Sequence, residues 1–177
     1  LRCAVSTNSL ELHFQPLVDS SKGRVVCVEA LLRWNHPTLG PISPAEFIPI
    51  AEDIGLIEEI GAWVIRQGCL TATAWPEPVR IAVNLSPRQF ASPTLYAGIA
   101  AAMLESGLPP SRLVVEVTES LLLKNHELVE STLAALGALG VRIALDDFGT
   151  GYSSLSYLRQ HRVDKLKIDQ SFISDIE

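Results

Sequence analysis

Leu10, Leu12 and Phe14 alternate with Glu11, His13 and Gln15, the period of two expected of a half-buried strand. After Pro16-Leu17-Val18, the segment Asp19-Ser20-Ser21-Lys22-Gly23 carries turn residues, and RVVCVEALLRW follows as a second strand. A connection this short cannot carry a parallel crossover, so the two strands form an antiparallel hairpin. Ser43-Pro44-Ala45-Glu46 starts a helix, with proline at the first helical position and an acid in the capping-box place, and that helix runs to about Gly55. A longer helix, from Leu56 to Ala74, stops at Trp75-Pro76.

The pattern then settles into alternation. RIAVNLS reads as strand, TLYAGIAAAMLESG as helix, RLVVEVTES as strand, HELVESTLAALGALG as helix, and VRIALDD and VDKLKIDQSF as strands, which makes six strands in all. Gly107 and Gly140 close the two helices as left-handed caps. Strands alternating with helices imply a parallel sheet with right-handed crossovers. From Asn84 to Glu116 is 32 residues and from Glu116 to Asp146 is 30, each about one strand-helix-strand unit. Polar residues therefore recur at the carboxyl ends of successive strands, the face on which α/β barrels and open sheets build their sites.

Collecting those strand ends gives Glu29, Asn84, Glu116, Asp146 with Asp147, and Lys167 with Asp169. Carboxylates converging on one mouth repel unless a cation sits among them. A set of oxygen donors without cysteine or histidine suits Mg²⁺ or Mn²⁺, and two such ions can clamp a phosphodiester. In the stretch ALDDFGTGYSSL, two acids at a strand end can both reach the mouth, and Gly149-Thr150-Gly151 leaves the following loop free to fold over a ligand or toward a partner subunit. Lys167 beside such ions could orient or deprotonate a water, the second task requiring a lowered pKa.

Each element also has a plainer reading taken singly: Glu29 as a solvated strand residue, Asn84-Leu85-Ser86-Pro87 as a turn, Asp146-Asp147-Phe148-Gly149 as a turn with a helix N-cap. Asp-Phe-Gly also occurs as the kinase magnesium motif, but neither a glycine-rich nucleotide loop nor a catalytic-loop pattern accompanies it. His13, His36, His126 and His161 lack metal-ligand spacing and are assigned to surface or packing, and Met103 to the core.

Composition narrows the class. The 177 residues suit one domain, and 47% apolar against 19% charged residues argues for a packed core. The net charge of −6 and the lack of any Lys/Arg run speak against a nucleic-acid polymer as partner. Cys3, Cys27 and Cys69 are odd in number and widely spaced, which implies reduced thiols and a cytoplasmic setting. No apolar run reaches the 18 or so residues of a membrane span, and no signal peptide opens the chain. The opening LRCAVSTNS reads as cut from something longer.

The motifs FQPLVD, VEALLRWNHP, SPAEFIPIAED, VNLSPRQF, EVTES, ALDDFGTGYSSLSYL and LKIDQSFI resemble, in order, those of the EAL-domain family of bacterial cyclic di-GMP phosphodiesterases. The resemblance implies a modified (β/α)₈ TIM-like barrel whose first strand is antiparallel. It implies two Mg²⁺ or Mn²⁺ ions held by Glu29, Asn84, Glu116, Asp146 and Asp147, with Asp146 bridging. Lys167 then matches the residue that works on the water, Arg33 one that grips a substrate phosphate, Gln15 a substrate contact, and Glu119 the anchor of the glycine-containing loop. Asp169 lies near the metal site in the same pattern. The implied reaction is hydrolysis of one phosphodiester of cyclic di-GMP to linear pGpG.

The resemblance also implies a homodimer and a covalently linked sensor or GGDEF cyclase domain, the whole cytoplasmic or the cytoplasmic part of a membrane-bound protein. No GGDEF motif is visible in the chain. Against a barrel of about 250 residues the chain is an EAL domain over residues 1–177 that is short at its C-terminal end, with about six of eight strands. The late A-E-G-V-E segment and the closing Q-G motif are missing from it. An unrecorded remainder, a truncation and a naturally shortened domain completed by a partner each account for that. A non-catalytic cyclic di-GMP receptor and a protein-interaction module stand as the alternative functions.

Overall fold

The computed structural model describes residues 1, 4, 9–122, 127–149 and 163–172. Strand β1 (Leu10–Asp19) and strand β2 (Arg24–His36) form the expected antiparallel hairpin, with Gln15 directly opposite Glu29. Strand β3 (Gly40–Ile42) folds back on the end of β2 and is an addition to the six strands expected; three residues are too few to show a period. Helix α1 (Pro44–Asp53) starts as the capping signal predicts, Ser43 Oγ accepting from the Ala45 N–H. Helix α2 (Ile57–Ala72) follows after Gly55, whose φ of +74° breaks the run.

Strand β4 (Arg80–Asn84), helix α3 (Leu95–Ser106), strand β5 (Leu113–Thr118), the short helix α4 (Glu119–Leu122), helix α5 (Glu127–Leu139), strand β6 (Arg142–Phe148) and strand β7 (Lys165–Ile168) complete the order. The sheet runs in the order β1-β2-β4-β5-β6-β7, with every pair from β2 to β7 along that path parallel and β3 antiparallel to β2 beside it. Among the described residues β1 and β7 are each paired on one side only, and Leu166 and Ile168 of β7 are exposed.

The period of two sorts each strand into two faces. Ile81 and Val83 of β4, Leu113, Val115 and Val117 of β5, and Ile143 and Leu145 of β6 face the helices and share the main core with Ile60 and Val64 of α2 and Ile99 and Met103 of α3. On the opposite face Cys27, Ala82, Val114 and Ala144 lie side by side and pack with Leu17. Cys27 and Cys69 are free and buried, while Cys3 lies outside the described residues. His13 and His36 make local surface contacts with Glu11 and Thr38. His126 and His161 lie outside the described residues, as do Thr150 and Gly151 of the glycine-containing loop.

Candidate active site

Two residues further along each strand, the same inner face turns from apolar to ionic. Glu29 follows Cys27, Asn84 follows Ala82, Glu116 follows Val114 and Asp146 follows Ala144. On β7 Lys165 pairs with Ala144, so Lys167 belongs to this second tier. Asn84 and Glu116 are direct register partners, which is why a spacing of one strand-helix-strand unit brings them together.

The tier closes on Lys167. Its ammonium lies 2.7 Å from Glu116 Oε2, 2.8 Å from Asp146 Oδ2 and 3.1 Å from Glu29 Oε2. The Asn84 amide donates to Glu29 Oε1 at 2.8 Å. Side-chain exposure is 18% for Lys167, 20% for Asp146, 14% for Glu29 and 0% for Glu116, so solvent screens this cluster poorly.

The electrostatics follow from that burial. Desolvation pushes the Glu116 carboxyl up to about 7, although Lys167 beside it pulls the other way. For Lys167 burial alone favours the neutral amine. The hydrogen bonds to Asp146 and Glu116 and the fields of Glu116 and Glu29 overcome it and hold the amine firmly protonated. Asp147 is raised by burial and by the charges of Asp146 and Asp169.

One ammonium against three carboxylates leaves the cluster short of positive charge. Glu116 Oε1 is buried and has no hydrogen-bond partner among the described residues. One oxygen from each of Glu29, Glu116 and Asp146 lies within 4.8 Å of the others. A buried carboxylate oxygen without a donor is costly unless a cation meets it, so these residues fit a divalent metal ion, and their all-oxygen chemistry fits a hard one.

Asp147 has a φ of +52°, and its N–H donates to Asp146 Oδ1. The pair of acids is thus accommodated by a positive-φ residue within β6. Asp147 feels the charges of Lys167 and Glu29 but is not one of the three clustered carboxylates. Arg33 lines a cavity next to Asn84 and Glu116, its guanidinium donating to Leu32 O. Gln15 is exposed opposite Glu29. Glu119 is buried, and its Oε2 accepts from the Gly149 N–H at 3.3 Å. Asp169 Oδ1 accepts from the Ser171 N–H and hydroxyl, so it serves a local turn while its charge reaches Asp147.

A second group of polar residues was not singled out from the sequence. Ser86, two residues after Asn84, donates to Glu52 Oε1 at 2.5 Å, and its N–H donates to Gln89 Oε1 at 3.0 Å. Gln89 is only 3% exposed and lies against Gly61, where an added Cβ would stand 2.0 Å from its Nε2. The Leu85 N–H donates to Glu116 O. The loop carrying Asn84 is therefore pinned from α1, α2 and β5. Gly61→Ala is expected to displace Gln89 and destabilise the fold by ~1–3 kcal/mol, the usual cost of overpacking. An unchanged thermal midpoint in that variant would show that Gln89 moves freely.

A sequence profile of the family described as "EAL domain" matches residues 1–177. An uncharacterized signaling protein of Caulobacter vibrioides is 51% identical over 99% of the chain and 22% of its own length. The cyclic di-GMP phosphodiesterase PdeR of Escherichia coli is 40% identical over 99% of the chain and 27% of its own length. The PaMucR phosphodiesterase, solved as a c-di-GMP complex, superposes with a TM-score of 0.92 at 44% identity, over 99% of this chain and 72% of that one. The chain thus spans about a quarter of the length of these curated relatives.

Proposed function

The chain belongs to the EAL-domain family, and from that premise we propose that the protein carrying it hydrolyses cyclic di-GMP to linear pGpG in a metal-dependent reaction. The observation that carries this reading is the ionic tier on the inner face of the sheet: three carboxylates around one ammonium, with Glu116 Oε1 buried and without a donor among the described residues. Glu29, Asn84, Glu116 and Asp146 would hold divalent ions, with Asp147 serving a second one. When bound, such ions supply charge stabilisation to the phosphodiester and activate water.

The chain's own residues do the rest. Lys167, held protonated by its carboxylate partners, cannot serve as a base in that state. It is suited to donating hydrogen bonds that orient a water or a phosphate oxygen. Arg33 lines the adjoining cavity with Asn84 and Glu116, and in this reading its forked donors grip a phosphate. Glu119 holds the Gly149 N–H and so fixes the start of the loop behind Asp147. That loop, a homodimer built around it and a linked signalling domain belong to the same reading.

The test is product analysis. The intact protein, incubated with cyclic di-GMP and Mg²⁺ or Mn²⁺, should yield pGpG by liquid chromatography and mass spectrometry, and a chelator should stop it. Tight cyclic di-GMP binding without product would instead assign the domain to the receptor class.

A further inference from the structure

Asn84 is held differently from its register partner in the ionic tier. Glu116 is buried, whereas Asn84 is exposed at the last position of β4. Packing therefore does not fix the Asn84 side chain. Its amide N–H donates to Glu29 Oε1, which leaves the carbonyl oxygen as the atom for a metal ion. Where that oxygen stands depends on how the backbone after β4 is anchored.

The anchor lies in Ser86-Pro87-Arg88-Gln89, which has the pattern and the bonds of a capping box ahead of the single turn Gln89–Ala91. The Ser86 hydroxyl accepts from the Arg88 N–H at 3.1 Å, and Gln89 Oε1 accepts from the Ser86 N–H at 3.0 Å. The Gln89 N–H returns to Ser86 O at 3.0 Å. Both backbone polar groups of Ser86 thus end on Gln89, which is buried together with Phe90 after it.

Helix α2 is shaped to receive this side chain. Gly61 lies inside α2 without a positive φ, a place where glycine is unfavourable relative to alanine. An alanine Cβ there would stand 2.0 Å from Gln89 Nε2 and 2.7 Å from its Cδ. The missing Cβ is the space in which the amide sits.

We propose that Gln89 is a positioning residue for the metal site: seated on Gly61, its amide holds Ser86 and so sets the place of Asn84 two residues earlier. This rests on the reading of Asn84 as a metal ligand and names the group that orients it. Gln89 acts on the reaction only through Asn84. Removing a group that stands behind a ligand in this way weakens metal binding by about ten- to a hundredfold.

The test is a cycle of variants of the intact protein, read by calorimetry with Mn²⁺ and by thermal melts without metal. Gln89→Ala should weaken Mn²⁺ binding about tenfold or more and lower the thermal midpoint. Gly61→Ala alone should also lower the midpoint, by displacing the amide. Added to Gln89→Ala, the same Gly61→Ala should raise the midpoint by about 2–4 °C, because the new Cβ enters the space the amide has left. Mn²⁺ affinity in the double variant should stay as weak as in Gln89→Ala. Affinity that returns with the midpoint would make Gln89 a packing residue and overturn the proposal, as would full affinity in Gln89→Ala. A midpoint that falls on adding Gly61→Ala to Gln89→Ala would remove Gly61 as the seat and overturn it as well.

Hydrogen exchange of the metal-free protein reads the same link without an ion. Residues 84–87 should exchange about tenfold faster in Gln89→Ala while β5 is unchanged, and equal exchange of residues 84–87 in both proteins would contradict the proposal. Asn84→Ala is the reference. Undiminished Mn²⁺ binding in that variant refutes the ligand reading itself. Weakened binding there beside an indifferent Gln89→Ala refutes only this inference.

Discussion

Replacing Glu29 with alanine is expected to abolish cyclic di-GMP hydrolysis, lowering kcat/KM by about three orders of magnitude or more, equivalent to ~4 kcal/mol of transition-state stabilisation. The side chain is an acceptor for the Asn84 amide and for Lys167, and one of three clustered carboxylates. Its loss removes a ligand and releases Asn84 together. The fold should survive, because removing one of three crowded acids relieves repulsion against Glu116 and Asp146. Steady-state kinetics beside a thermal melt read both halves. Undiminished turnover would refute the site, and a collapsed melt would make Glu29 a structural residue.

Lys167→Met is expected to separate two quantities that fall together for any ordinary site mutation. Activity should drop about a hundredfold or more with the loss of the donor among Glu29, Glu116 and Asp146. Affinity for Mn²⁺, measured by calorimetry, should rise about tenfold or more, because the three carboxylates lose the cation that now neutralises part of their charge. In the metal-free protein the same change should lower the thermal midpoint, with a larger recovery on adding Mn²⁺ than in the unaltered protein. Weaker Mn²⁺ binding in Lys167→Met would mean that the amine supports the metal ligands rather than competing with the ion for their charge.

The inner tier was legible in the sequence because two regular signals coincide there. Strand residues alternate between faces, and the strand-helix-strand unit repeats near thirty residues, so Asn84, Glu116 and Asp146 fall into line. The antiparallel opening followed from the short Asp19–Gly23 link and is observed as the hairpin of β1 with β2. Short elements left no period to read: Gly40–Ile42 became β3 and Glu119–Leu122 became α4, the latter carrying the residue that holds Gly149.

The bond between Glu52 and Ser86 joins residues 34 apart in the chain, through the packing of α1 against the loop after β4. Nothing in the local pattern of either segment announces it, although both lie in stretches that carry the family resemblance, SPAEFIPIAED and VNLSPRQF. Lys167 was legible as a member of the tier but its charge state was not. Whether a lysine is neutral or protonated depends on how many carboxylates surround it, and here three do.

The most direct test of the account is anomalous diffraction at the manganese edge from crystals of the intact protein grown with Mn²⁺. The account predicts a peak bounded by Glu29, Asn84, Glu116 and Asp146 that meets Glu116 Oε1, the buried oxygen without a protein donor among the described residues. Manganese bound elsewhere, with the three carboxylates still closed on Lys167, would contradict it.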